Sequence, residues 1–516
     1  MPFLRLQSSA VKLSELILTI VLCCVVGLAI VLAGDLPPAF AVALAAAFFC
    51  GLIFILIPDK KEALVMGWFL VHPLSIEKVF PVGVPLLPDF IPPLLVISGS
   101  DIILFLLLLL LLYEQFILQR PRVWSFPQPL TPLLFFLLWN AILLFRQPLT
   151  PEGVLSLIHV AKMILFIFIM VSAVTSADSY KKILQAMAWA VAVQVAIVFY
   201  TSFSGNIIRF SHKITSSVMT FSGIGAGSAH VRATGTMGHV NQEASFLTFS
   251  GLCLVGLPWI QRRVRRLFTW IVLSGAAGAV FLTYSRTAWL AVFVAIAAMI
   301  VLSLYYHLVS MKSWIYVFPA VVVGILIAPM VLQPAVDRIF HGDEGATSSR
   351  IRAMRLSLDL LRPHPFIGVG PGRFARASLE RYPPGKSNIA LRPASDPGNE
   401  TGHRFGRLEV SQVQLGNKLL AFPLPVHNKY LLILTELGFV GLFLFLWFQW
   451  RVYRQLLQLS RHLHGRAAWP AMGLHGAFWA SQVFMMLDLF QDDKTMQILL
   501  TVPILVMALH KVTVRN

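Results

Sequence analysis

Apolar runs of about 20 residues recur from one end of this sequence to the other, each long enough to cross a hydrocarbon core of roughly 30 Å as a helix. Lipid offers the backbone no hydrogen-bond partner, so a chain that spans it must close its own hydrogen bonds, and runs of this length select the helix. With 57% apolar residues, only 12% charged and a mean hydropathy of +0.77, the chain falls outside the ordinary soluble classes. The expected fold is an all-α polytopic integral membrane protein.

Hydropathy gives about fourteen spans: 15–34, 38–57, 62–76, 100–118, 130–146, 154–175, 181–203, 240–260, 267–285, 287–306, 314–332, 427–448, 468–488 and 495–510. The first follows Arg5 and Lys12 and is longer than a signal-peptide core, so it reads as a retained span. The third is broken by prolines downstream, a pattern compatible with a re-entrant or interfacial segment.

The excess of 41 Lys+Arg over 23 Asp+Glu, a formal +18, could suggest nucleic acid in a soluble protein. Here it sits largely in alternate short loops: "PDKKE", "QRPRVW", "SYKK", "QRRVRR", "RVYRQ" with "RHLHGR", and "HKVTVRN". That bias places both termini in the cytoplasm. There is no basic groove with interleaved aromatics, so no nucleic-acid partner is expected. Cys23, Cys24, Cys50 and Cys253 all lie in apolar runs and read as membrane packing, with no metal-ligand spacing.

In this orientation two longer hydrophilic segments face outward. The chain divides into N-terminal helices (1–203), a first outer loop (204–239), central helices (240–332), a large outer loop between the eleventh and twelfth spans (333–426) and C-terminal helices (427–516). Within the large loop, "SRIRAMRLSLDLLRPHP" sets Ile351, Met354, Leu358 and Leu361 near helical spacing with arginines between them, and Pro363 ends the pattern. Such a helix suits either acidic lipid headgroups or a place over a site.

Outward-facing polar residues gather at three helix mouths. "RATGTMGHVNQEASF" carries Arg232, His239, Asn241 and Glu243; "LTYSRTAWLA" sets Arg286 at a tight turn; "HNKYLLILTELGFVGLFLFL" opens on His427 and Asn428. Each has a plain structural reading as loop arginine, headgroup-seeking arginine or helix cap. Together, two guanidiniums that fork onto phosphate oxygens and an imidazole that moves a proton near neutral pH suit an anionic, phosphate-bearing substrate. His159, Lys162, His475 and Asp488 lie within spans, scattered, and are assigned mainly to packing and helix–helix hydrogen bonds.

These segments, with "RPHPFIGVGPGRF" in the large loop, resemble the O-antigen ligase/polymerase superfamily of bacterial envelope glycosyltransferases. The resemblance covers roughly residues 230–450. It rests on four segments in order: "RATGTMGHVNQEA", "YSRTAWLA", "RPHPFIGVGPGRF" and "HNKYLLILTELGFVGLFLFL". Val240 departs from it, standing where the family usually has proline before the asparagine.

The resemblance implies a GT-C-type fold in the bacterial inner membrane. It also implies transfer, without metal or other cofactor, of a glycan from a polyprenyl-pyrophosphate donor to a glycan or lipid-core acceptor at the periplasmic face. Chain-length or export machinery would be possible partners beside the lipid bilayer. Arg232 and Arg286 would hold the pyrophosphate and His427 would activate or orient the acceptor hydroxyl; Asn428, Asn241 and Arg350 would bind substrate.

Glu436 lies nine residues beyond His427, on the opposite face of an unbroken helix and roughly 13 Å along it. It is therefore expected to be structural, bonded to a backbone or hydroxyl group, with Gly438 and Gly441 admitting a neighbouring helix. The competing class is a lipid-linked oligosaccharide flippase. That would call for two related halves and a polar path through the membrane, and neither is evident.

Overall fold

The computed structural model describes residues 59–81, 94–119, 124, 126–146, 148–206, 219–222, 229–237, 239–307, 344–381, 410–415, 418–423, 426–488 and 493–514. In chain order its elements are α1 (Lys60–Val71), β1 (Glu77–Pro81), β2 (Leu94–Ser98), α2 (Gly99–Phe116), α3 (Thr131–Arg146), α4 (Pro151–Ala173), α5 (Ala177–Ser204), β3 (Met219–Ser222), β4 (Ala229–Arg232) and α6 (Val240–Leu254). They continue with α7 (Arg263–Leu282), α8 (Arg286–Tyr305), α9 (Glu344–Leu361), α10 (Phe374–Arg381), β5 (Val410–Leu415), β6 (Lys418–Pro423), α11 (Lys429–His462), α12 (Ala468–Leu487) and α13 (Asp493–Val514).

Among the described residues, nine helices are long and apolar enough to cross a membrane. The departures from all-α among the described residues are three antiparallel two-stranded pairs in the connections. The expected spans 15–34, 38–57 and 314–332, and Cys23, Cys24 and Cys50, lie outside the described residues. Cys253 is buried, as expected of a packing residue.

One expected span is corrected. The segment 62–76 contains a helix of only 12 residues, about 18 Å long, which is too short to cross. A 3-10 turn at His72–Leu74 ends it, and the chain leaves through the β1–β2 hairpin before returning in α2. Of the prolines that interrupt the pattern, Pro73 lies in the 3-10 turn and Pro81 ends β1.

Ion pairs fix which helix ends share a level. Lys61 meets Glu114 at 2.8 Å, joining the start of α1 to the end of α2, and Lys182 meets Glu62 at 2.8 Å, bringing in the start of α5. Lys511 donates from α13 to the carbonyls of Val171 and Ser172 at the end of α4. Deeper in, Asp101 closes the capping box of α2 with Ser98 and also accepts from Lys162 (2.9 Å) and Gln497 (2.8 Å). Lys162 therefore has the packing role assigned to it, as has His475, which bonds Ser460 at 2.8 Å. A lone charge at such depth would cost several kcal/mol, and each of these is paired.

The largest departure from expectation is in α11. Gly438 has φ 68° and ψ −171°, so the helix is broken there, and its two segments meet at a kink. The break frees the carbonyls of Thr435, Glu436 and Leu437. The first two accept from the N–H groups of Val369 and Gly370 at 2.9 Å, and the third from Trp139 Nε1 at 3.0 Å. Phe439 N–H in turn donates to Pro365 O at 2.9 Å.

The glycines of "IGVGPGRF" now have a physical reason. Gly368, Gly370 and Gly372 take positive φ, so the loop can turn tightly enough to lie on the opened helix backbone. Gly438 therefore admits this loop, where a neighbouring helix was expected. Gly441 accommodates Leu437 of its own helix, whose Cβ would lie 2.3 Å from an added Cβ.

A Cβ on Gly438 would lie 2.1 Å from the carbonyl carbon of Phe366, in a backbone conformation hostile to L side chains. Gly438→Ala is expected to destabilise the protein by about 2 kcal/mol or more, visible as a lower unfolding temperature of the purified protein in detergent. Unchanged thermal stability would show that the break is not held as described.

Candidate functional site

The helix end opposite the Lys61–Glu114 and Lys511 contacts carries the residues singled out from the sequence. Arg232 closes β4 and donates from Nε to Thr283 O and from Nη2 to Asn241 Oδ1, both at 3.2 Å. The next residue, Ala233, donates its N–H to Leu282 O. Arg232 is thereby tied to the α7–α8 corner, whose next helix begins with Arg286. Two contacts on one guanidinium fix its plane as well as its position.

That corner is tight. Tyr284 takes φ 50°, uncommon for a non-glycine residue, and Ser285 caps α8 by accepting from Ala288 N–H. Burial pushes the Tyr284 phenol above its ordinary range, so it stays neutral. On the other side, the Arg232 loop is held by Gln194 of α5. Its Oε1 accepts from Thr236 N–H at 3.0 Å and its Nε2 donates to Thr236 Oγ1 at 2.7 Å.

His427 lies just before α11. Its Nδ1 is buried, has no hydrogen-bond partner among the described residues and faces the carboxylate of Asp488, the last residue capping α12, at 3.8 Å. The α12 helix packs against both α6 and α8. Near α12's start, Pro470 adjoins Gly256 just beyond the end of α6, so the two helices run antiparallel and α12 ends beside the start of α6.

Against α8, Gly476 touches Met299. At about 1.5 Å per residue, Arg286 lies about 20 Å up from Met299 and Asp488 about 18 Å up from Gly476. Arg286, Asp488 and His427 therefore share one level, with Arg232 bound to the same corner. The first turns of α6, α8 and α11 also open there, and their positive dipole ends favour anions.

Several of the expected site residues have partners within the protein. Asn428 accepts from Leu431 N–H and caps α11, and Asn241 holds Arg232. Both were expected on substrate, and both have a neighbour to serve first. Arg350 is half-buried on α9, in helical register with Met354, Ser357 and Leu361 on the side facing the protein. Glu436 accepts from Phe374 N–H, the first residue of α10, at 3.2 Å. Its partner is thus a backbone group, as expected, contributed by the large loop at the start of α10.

Glu152 performs a parallel task, accepting from Arg376 Nε of α10 at 2.7 Å. The first turn of α11 also borders an internal cavity of about 80 Å³, where Lys429 and Glu436, two turns apart on one face, meet Asn140, Ser156, Gln449 and Ser481.

Asp488 is the residue that the sequence reading undervalued. In the sequence it is one of several scattered intramembrane polar residues, whereas in the structure its carboxylate lies 3.8 Å from His427 Nδ1. The one signal available was its place at a span's outer end, beside "FQDDK", on the same side as His427.

Among known proteins, residues 270–397 match the family model described as O-Antigen ligase. The matched stretch runs from α7 through the Arg286 corner, α8, α9 and the glycine loop to α10 and beyond, and it supports placing the chain in the O-antigen ligase/polymerase superfamily. It stops short of His427 and Asp488 and begins after Arg232, so those three rest on geometry. No curated protein matches the chain.

Two substitutions separate the contacts of Glu436. Glu436→Gln retains an oxygen for Phe374 N–H and should leave stability and activity near native, whereas Glu436→Ala removes it and should lower stability by about 1–2 kcal/mol. Thermal unfolding of both variants measures this, and equal loss in the two would refute the hydrogen-bonded role. Asn428→Ala, which deletes the cap of α11, should cost about 1 kcal/mol in the same assay.

Proposed function

We propose that this chain, a multi-pass membrane protein of O-antigen ligase type, transfers a glycan from a polyprenyl-pyrophosphate donor to an acceptor hydroxyl at the periplasmic face of the bacterial inner membrane. The observation that carries this reading is the His427–Asp488 pair set level with Arg286 and the Arg232-bound corner. A proton acceptor and two permanent cations at one end of a helical bundle suit attack on a carbon whose leaving group is a pyrophosphate.

In the proposed reaction the acceptor oxygen forms a bond to the anomeric carbon as the bond from that carbon to the pyrophosphate oxygen breaks. The electron pair departs with the pyrophosphate, and the acceptor's proton passes to His427. Because Nδ1 faces Asp488, Nε2 is the nitrogen left to receive it, and the carboxylate steadies the imidazolium that forms.

Arg232 and Arg286 stabilise the charge growing on the leaving group, helped by the first turn of α8. A pyrophosphate leaves without protonation, so no second carboxylic acid is required, and one displacement inverts the anomeric centre. The guanidiniums supply the countercharge that a metal ion supplies elsewhere, so turnover should survive chelation.

A lipid-linked oligosaccharide flippase remains the alternative class, but the polar residues gathered at one end favour transfer over transport.

Reconstitution with a polyprenyl-pyrophosphate oligosaccharide and candidate acceptors, followed by analysis of product length and attachment, tests the reading directly. His427→Ala should abolish product formation while donor binding persists; retained turnover would falsify its role as proton acceptor. Arg286→Lys keeps the charge but loses the fork, and should lower transfer by about 100-fold or more. Asp488→Asn should reduce turnover by about 10²-fold or more with the Michaelis constant for donor nearly unchanged. A flippase would instead move the donor in vesicles without changing its covalent structure.

A further inference from the structure

One surface beside the site is left unassigned by transfer chemistry: the outward face of α9. Its other face is well accounted for. Leu360 packs in a small core with Phe374, Val426 and Leu432, with Met354 and Ala353 against it. Val426 is fully buried and immediately precedes His427, so α9 is seated on the turn that presents the imidazole.

On the opposite side Ile351, Arg355, Leu358 and Arg362 follow one another at helical spacing, with Arg352 beside them, and all five are exposed. Ile351 is 46% and Leu358 47% accessible, high for large aliphatic side chains on a helix whose inner face is packed. A face that alternates branched aliphatics with arginines is poor for water and poor for hydrocarbon, but it suits the boundary between them. There the aliphatics sink toward acyl chains while guanidiniums reach the phosphates.

The geometry continues that boundary into the bundle. Phe366, 67% exposed in the loop that follows α9, lies against Phe439, with ring centroids 6.1 Å apart. Phe439 and Phe443 are exposed on the spanning part of α11 just beyond the Gly438 break, so their surroundings are lipid. Phe366 thus joins the exposed phenylalanines of α11 to the loop that follows α9, the helix whose outward face carries Ile351 and Leu358 among Arg352, Arg355 and Arg362.

We infer that α9 is a membrane-interface helix whose outward face binds the anionic phospholipid headgroups of the bilayer the protein spans. This surface couples the bilayer to the turn that carries His427. The inference depends on the helix and its packing, and it holds whether or not the transfer reading does.

The test is a depth measurement. In a variant lacking the native cysteines, Ile351→Cys and Leu358→Cys are labelled with a small fluorophore, with Phe443→Cys as the lipid-facing reference. The protein is then reconstituted in phosphatidylcholine vesicles with 0 or about 30 mol% phosphatidylglycerol, an anionic lipid. The expected result is strong quenching of both α9 labels by nitroxide carried on the upper acyl chain and weak quenching by aqueous iodide, with lipid quenching rising when phosphatidylglycerol is present.

Exchange of Arg352, Arg355 and Arg362 for glutamine should remove that rise, since each arginine is worth roughly fivefold in partition to an anionic surface. All five positions are exposed, so the variants should fold; the Phe443→Cys label, quenched by lipid in every sample, confirms insertion. Iodide quenching of the α9 labels at the level of a water-exposed site would overturn the inference, as would lipid quenching indifferent to phosphatidylglycerol and to the arginines. Because no glycan is present, a failure here is distinct from a failure of the proposed transfer.

Discussion

Three backbone carbonyls in the first half of α11 organise the functional end of this protein. The positive φ of Gly438 takes Thr435, Glu436 and Leu437 out of the helical hydrogen-bond ladder. A carbonyl left without a donor near the bilayer costs several kcal/mol, so the break persists because Val369, Gly370 and Trp139 supply donors. Those donors come from the large loop and from α3. The same few contacts therefore dock an extramembrane segment, lock the rotation of α11's first turns and set the place of the residues just ahead of them. His427 is among these.

Charge obeys a similar logic. Inside the bundle each ionisable group that the hydrogen bonds reveal has a neighbour of opposite sign or a helix end to serve: Asp101 with Lys162, Glu62 with Lys182, Glu152 with Arg376, Glu436 with the start of α10. Asp101 and Glu436 do double duty, since each is both a capping group and a tie between elements distant in sequence. At the candidate site the pattern changes. Arginines 232 and 286, an imidazole and three helix starts collect at one level, with the Asp488 carboxylate as counterweight. An excess of positive potential in a partly enclosed corner is what an oligophosphate would require.

Much of this was legible from residues alone. Long apolar stretches announce α2 to α8, α11 and α13 because hydropathy over about 20 residues is a strong signal. Residue type exposed Arg232, Arg286 and His427, since such groups at helix mouths need a reason. What stayed hidden depended on long-range geometry. The shortness of α1 was masked by apolar residues that belong to a turn and a hairpin. Asp488 looked like one polar residue among several until its distance from His427 was known. Gly438 looked like a small residue suited to helix packing, and only its φ distinguishes a break from a groove. Glu436 has the backbone partner expected of it, but that the partner is Phe374, 62 residues earlier in the chain, follows only from the docked loop.

The docked loop has a consequence for how such a chain can be assembled. Residues 363–374 and α3 are synthesised before α11, so the donors that complete the interrupted helix are already made when it inserts. Order of translation thus supplies a ready template for a segment that would otherwise enter lipid with bare acceptors. The candidate site would be completed later still, when α12 brings Asp488 to within 3.8 Å of His427.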